Sequence, residues 1–139
     1  MKKHILIIDD YQDILEILQD ILIYAGYAVT TLIEIDNIIE TVAKYKPDLV
    51  IIDFLLQGIN GGELCSQIKK NEQTHHIPVI LMSAHSRILD SFEIYKCDEF
   101  IEKPFDRGHL VERIKYHLKR SAPRDRHKEY IKVEFNKTN

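Results

Sequence analysis

The chain has 139 residues, of which 45% are hydrophobic and 29% charged, with a formal charge of −3. That length points to one domain large enough to bury a core without staples. The apolar runs are far too short to span a bilayer, and the negative charge argues mildly against a protein that coats nucleic acid.

The first run, His4–Ile8, is β-branched and apolar and reads as a strand ending in two adjacent carboxylates, Asp9 and Asp10. Ile14, Leu15, Leu18, Ile21 and Leu22 recur at helical spacing, which predicts a helix over residues 11–25 capped by Gly26. A strand over 27–32 and a helix over 36–45, closed by Pro47, come next. LVIID, residues 49–53, is apolar on both faces, as strands of parallel sheets covered on both sides are. A loop over 57–62, a helix over 62–70 and a second two-faced strand over 77–82 follow. The pattern then predicts a helix over 88–95, a short strand over 99–101 and a helix over 107–118. This alternation predicts an α/β fold: a five-stranded parallel sheet with helices on both faces, a doubly wound arrangement. The expected division is a domain over residues 1–120 and a basic C-terminal tail over 121–139, with a candidate short strand at 129–135 and no effector domain expected. From Arg120 to Asn139 six basic and three acidic residues give this end of the chain a net charge of +3.

Polar residues gather at the carboxyl ends of the strands, where such sheets bind ligands. The first strand ends in Asp9-Asp10, the third in Asp53 and the fourth in Ser83, and the fifth runs into Lys103-Pro104. Three carboxylates in one place repel one another and need a cation or raised pKa values. A hard divalent cation with oxygen ligands, Mg²⁺ above all, suits them and leaves room for a phosphate oxygen. With a lysine and a hydroxyl alongside, the set describes a phosphoryl site in which a carboxylate is the acceptor. Each residue also has a plainer reading. Asp9-Asp10 taken alone is equally a helix N-cap beside a neighbour favoured by the helix dipole. Asp53 also reads as the start of a turn and Lys103 as a solvated lysine, while Ser83 taken alone reads more readily as an ordinary strand-end hydroxyl. The joint placement favours the phosphoryl site.

ILIIDD, LVIIDF, LMSAH and FIEKPF, in this order, resemble the receiver domains of bacterial two-component response regulators, over nearly the whole of residues 3–119. The resemblance implies the flavodoxin-like strand order 2-1-3-4-5. It implies Asp53 as phosphoacceptor, taking a phosphoryl group from a phosphohistidine on a sensor histidine kinase or a histidine phosphotransfer protein. Asp10 matches the direct Mg²⁺ ligand, Asp9 the acid that holds the ion through water, and Leu55 the residue whose backbone carbonyl also binds it. Lys103 and Ser83 match the phosphate-binding pair, Ser83 and Phe100 the switch, and Lys103-Pro104 the cis peptide. Output is expected through protein contacts at the face of the fourth helix, fifth strand and last helix. The expected setting is the cytoplasm of a bacterium, with no membrane partner and no nucleic acid; a homodimer is one option for the output state.

Several positions stand out against the family pattern. Gln57 replaces the family's usual proline, leaving that loop less rigid without touching the ligands. The stretch between Ser83 and Lys103 is about two residues short, and Lys96 stands where a glycine is usual, so the fourth helix is expected to be shortened or irregular. Leu55 and His85 occupy positions that tune phosphate lifetime, and a leucine cannot position a hydrolytic water. Gly108 weakens the start of the last helix mildly. Cys65 and Cys97 lack C-x-x-C spacing and read as lone packing thiols in a reducing compartment, and His75-His76 as solvated. Competing readings are a receiver that no longer takes phosphate and an aspartate-nucleophile phosphohydrolase. The complete Asp9, Asp10, Asp53, Ser83 and Lys103 set argues against the first, and Tyr11, standing where the second needs a carboxylate, argues against the other.

Overall fold

The computed structural model describes residues 1–84 and 95–121. The elements are β1 (His4–Ile8), α1 (Gln12–Tyr24), β2 (Ala28–Leu32), α2 (Ile38–Tyr45), β3 (Leu49–Asp53), β4 (Leu55–Leu56), β5 (Ile59–Asn60), α3 (Gly61–Lys70), β6 (Val79–Ser83), β7 (Glu99–Glu102) and α4 (Arg107–Ser121). Five strands pair in parallel in the order β2-β1-β3-β6-β7, and β4 and β5 form a separate antiparallel hairpin. The five-stranded order is the flavodoxin-like 2-1-3-4-5, whose switch point lies between β1 and β3.

The side-chain period of two along each strand feeds two cores. Ile5 and Ile7, Leu49 and Ile51, and Ile80 and Met82 pack on one face with α1 and α4. Leu6 and Ile8, Val50 and Ile52, and Val79 and Leu81 pack on the other with α2 and α3. All five residues of β3 and of β6 are buried, so both faces of the central strands are covered, as their unbroken apolar runs require.

The ends of the elements have local causes. Gly26, at φ +100°, follows the last turn of α1. Asn37 caps α2, its side chain accepting from the Glu40 N–H at 3.1 Å. Asp106 accepts from the His109 N–H at 2.8 Å, which supports the start of α4 despite Gly108. The expected 57–62 loop proves to hold the two-residue connection of the β4–β5 hairpin, with Gly58 at φ +75°, then β5 and the first two residues of α3. Strand β6 runs to Ser83 rather than 82, and α4 continues to Ser121, past the expected end at 118 and one residue past the expected domain boundary. Lys96 is left-handed, at φ 59°. The expected helix over 88–95 lies outside the described residues except for Tyr95, as do His85 and, beyond Ser121, the tail. Among the described residues no helix is long and apolar enough to cross a membrane.

Candidate functional site

The carboxyl ends of β1 and β3 meet at the switch point. The register Ile8↔Ile52 sets Asp9 beside Asp53. Asp9 is only 2% exposed, and its Oδ1 accepts from the Tyr11 N–H at 2.9 Å. The N-cap of α1 is Tyr11, with no side-chain cap bond, so neither aspartate is the cap. Asp10 is exposed, whereas Asp53 is buried. One carboxylate oxygen from each of the three lies within 4.8 Å of the others.

Lys103, just after β7, reaches into this cluster. Its Nζ donates to Asp9 Oδ2 at 2.9 Å and to Asp53 Oδ1 at 3.0 Å. Burial raises the Asp53 pKa; Lys103 pulls it down, Asp9 and Asp10 push it up, and the net shift is upward. For Lys103, burial acts to lower the pKa, but hydrogen bonds to Asp9 and Asp53 and their charges outweigh it and hold the ammonium form. One ammonium against three carboxylates leaves an excess of negative charge around oxygen donors. That donor set fits a hard divalent cation.

The remaining predicted residues fall around the cluster. Ser83, 1% exposed, ends β6, and its carbonyl accepts from the Lys103 N–H at 2.8 Å. Phe100 pairs with Leu81 in the β6–β7 ladder and packs, half-buried, on the α2/α3 core. Leu55 opens β4 opposite Asn60, with its side chain 52% exposed. The Lys103–Pro104 peptide is cis. Gln57 does touch the acidic cluster, contrary to expectation: its backbone N–H donates to Asp10 Oδ2 at 3.1 Å. A proline there has no N–H to give.

Sequence reasoning missed a second layer beneath Asp53. A Cβ on Gly61 would collide with the Asp53 backbone oxygen, and one on Gly62 would meet the Tyr95 ring at 2.6–2.7 Å. Asn60 caps α3 by accepting from the Gly62 N–H at 2.7 Å, and its Nδ2 donates to the Tyr95 hydroxyl at 3.2 Å. Tyr95 also meets Phe54 edge-to-face, with ring centroids 5.7 Å apart. The dipeptide Gly61-Gly62 was the available signal: two glycines at a helix start mark close approach rather than helix propensity.

A model of the response regulator receiver domain matches residues 5–115. The phosphate regulon transcriptional regulatory protein PhoB of Pseudomonas aeruginosa is 34% identical over 126 residues, which cover 88% of this chain and 55% of that protein. The chain thus spans about half the length of the curated relatives it matches. Among solved structures, the receiver domain of NtrX from Brucella abortus is 32% identical with a TM-score of 0.73, covering 82% of this chain and 97% of that one. A CheY-like receiver domain protein from Methanospirillum hungatei JF-1 is 27% identical with a TM-score of 0.75, covering 87% and 97%. On its sequence, its sheet order and these likenesses, the chain belongs to the response regulator receiver domain family of two-component systems.

Proposed function

We propose that this receiver accepts a phosphoryl group on Asp53 from a histidine-phosphorylated kinase or phosphotransfer protein and signals by protein contact, in the cytoplasm. The observation that carries the reading is the Lys103 ammonium bridging buried Asp9 and Asp53 within a cluster of three carboxylates. Asp9, Asp10, Asp53 and the Leu55 carbonyl would hold Mg²⁺. When bound, the ion neutralises negative charge on the transferring group and on the carboxylates.

The residues divide the work as follows. A carboxylate oxygen of Asp53 forms the new O–P bond as the donor's N–P bond breaks. The transferred group is metaphosphate-like, so positioning and charge neutralisation supply most of the effect. Lys103 offers its ammonium to the new phosphoryl oxygens while staying within reach of Asp9. The Ser83 hydroxyl donates to the same oxygens, and Phe100, one strand over, repacks as it moves. The affected surface is β7 with its flanking helices, where a downstream protein or a second copy would read the change. The chain catalyses only its own phosphorylation and dephosphorylation, in a signalling role rather than as an enzyme acting on other molecules.

Incubation of the chain with a small acyl phosphate and Mg²⁺, followed by intact mass measurement, tests the reading. One phosphoryl group is expected on the wild type and none on Asp53→Ala. An unmodified wild type, or an Asp53→Ala chain modified equally, contradicts it.

A further inference from the structure

Helix α3 lays one face against the segment that enters β7. Gly62, Cys65 and Lys69 stand three and four residues apart, in one row along the helix. Facing them, in the same order, come Tyr95, Cys97 and Asp98. The Tyr95 ring lies over Gly62, Lys69 Nζ donates to Asp98 Oδ2 at 2.8 Å, and Cys65 and Cys97 lie between these two contacts. Both cysteines belong to the α2/α3 core. They are therefore not lone thiols: residues 32 positions apart in sequence are set side by side in one core, between neighbours that are themselves pinned together.

We propose that Cys65 and Cys97 are a redox pair that closes to an intramolecular disulfide under a peroxide-class oxidant, fastening α3 to the segment entering β7. Cys97 is 7% exposed and Cys65 0%, so an oxidant reaches the Cys97 sulfur first. The Cys97 thiolate attacks one oxygen of hydrogen peroxide, the O–O bond breaks, and the departing hydroxide takes up a proton as water. This leaves a sulfenic acid on Cys97. Cys65 then gives up its proton and attacks the Cys97 sulfur. The S–S bond forms, the S–O bond breaks, and a second water leaves. In sum the two thiols lose two electrons and two protons, and the peroxide becomes two waters.

The hydrogen bond to Cys97, together with burial, pushes the Cys65 thiol well up and holds it protonated. The second step therefore quickens as pH rises. The consequence lies downstream along the chain. Phe100 and Lys103 follow Cys97 by three and six residues, so a bridge there restrains the strand that carries both.

The test oxidises the folded full chain with hydrogen peroxide, blocks remaining thiols, and maps peptides without reduction. The expected result is a monomer with Cys65 and Cys97 linked, both protected from alkylation, and reversal by dithiothreitol. Its thermal midpoint should exceed that of the reduced chain by about 5 °C or more. Cys65→Ala and Cys97→Ser should each lose the linked peptide. Circular dichroism identifies any variant that fails to fold, and the wild-type map decides the question without the variants. Disulfide-linked dimers, sulfinic acid on Cys97 with no bridge, or two thiols still open to alkylation after a treatment that oxidises them in urea would each overturn the proposal.

Discussion

Lys103 is the cation on which the acidic cluster depends. Its side chain is 17% exposed and it pairs two carboxylates that are 3% and 9% exposed. Removing one partner of a buried pair leaves the other charge uncompensated. Lys103→Met should therefore cost about 3 kcal/mol in urea unfolding with chelator present. Adding Asp53→Asn should recover part of that loss, because one of the stranded charges goes with it. No change on Lys103→Met would show that the carboxylates are solvated without it. The glycines beneath the cluster make a second, steric prediction. Gly61→Ala drives a methyl group into backbone, which cannot swing away, and should cost roughly 3 kcal/mol. Gly62→Ala meets the Tyr95 side chain and should cost about 1–2 kcal/mol, a loss that Tyr95→Ala partly relieves. Equal costs in urea titrations would contradict the difference in what each methyl meets. Leu55, half-exposed two residues after Asp53, has a side chain that offers no hydrogen bond to a water. The phosphorylated chain is accordingly expected to persist well beyond seconds, and loss of the group within seconds would refute that. The residues of the cluster were legible unevenly. Asp9, Asp10, Asp53 and Lys103 announce themselves because charge at the end of an apolar strand demands a reason. The Gln57 contact was not legible, since it uses a backbone N–H that side-chain identity does not advertise.

At the scale of the element, β7 is held to its neighbours by charge. Glu99 Oε1 accepts from Arg113 Nε and from His117 Nε2, each at 2.8 Å, which ties β7 to α4. Asp98 accepts from Lys69 Nζ and from the Val79 N–H, each at 2.8 Å, which ties the same strand's start to α3 and β6. Burial raises the Glu99 pKa, but the hydrogen bonds from His117 and Arg113 and their charges outweigh it and hold it below the ordinary 4.5. A depressed carboxylate adds stability that is complete above the unfolded value and disappears as pH falls through the folded one. Stability should thus decline as pH drops below about 4.5, and Glu99→Gln should flatten that limb of the curve while lowering stability near neutrality. Unfolding titrations across pH 3–7 check this, and an unchanged acid limb in Glu99→Gln would contradict it. Elements were read best where periodicity was strong, as in α1 and the two-faced strands β3 and β6. The β4–β5 hairpin escaped because two-residue strands have no period to detect, leaving only Gly58 as a turn signal. The left-handed Lys96 was legible only through the resemblance, since a lysine gives no hint of positive φ.

Across the whole molecule, the parallel sheet brings four distant segments to one edge, and that convergence makes a site out of weak local signals. The strand alternation was enough to infer the layers, because a strand apolar on both faces has to lie between two layers of helices. That Cys65 and Cys97 share one buried cluster was invisible in sequence, since it depends on how α3 packs against the entry to β7. If Mg²⁺ binds the folded state alone, it should stabilise the chain by about 2.7 kcal/mol at a hundredfold excess over its dissociation constant. The gain should vanish with chelator and in Asp10→Asn. The central claim is that Asp53, and not one of its two acidic neighbours, receives the phosphoryl group. The most direct measurement exposes the chain to an acyl phosphate with Mg²⁺, traps the acyl phosphate by borohydride reduction, and locates the converted residue by peptide mass spectrometry. Conversion at Asp53 alone, abolished by chelator, is the predicted result; conversion at Asp9 or Asp10, or at none of the three with Mg²⁺ present, would contradict it.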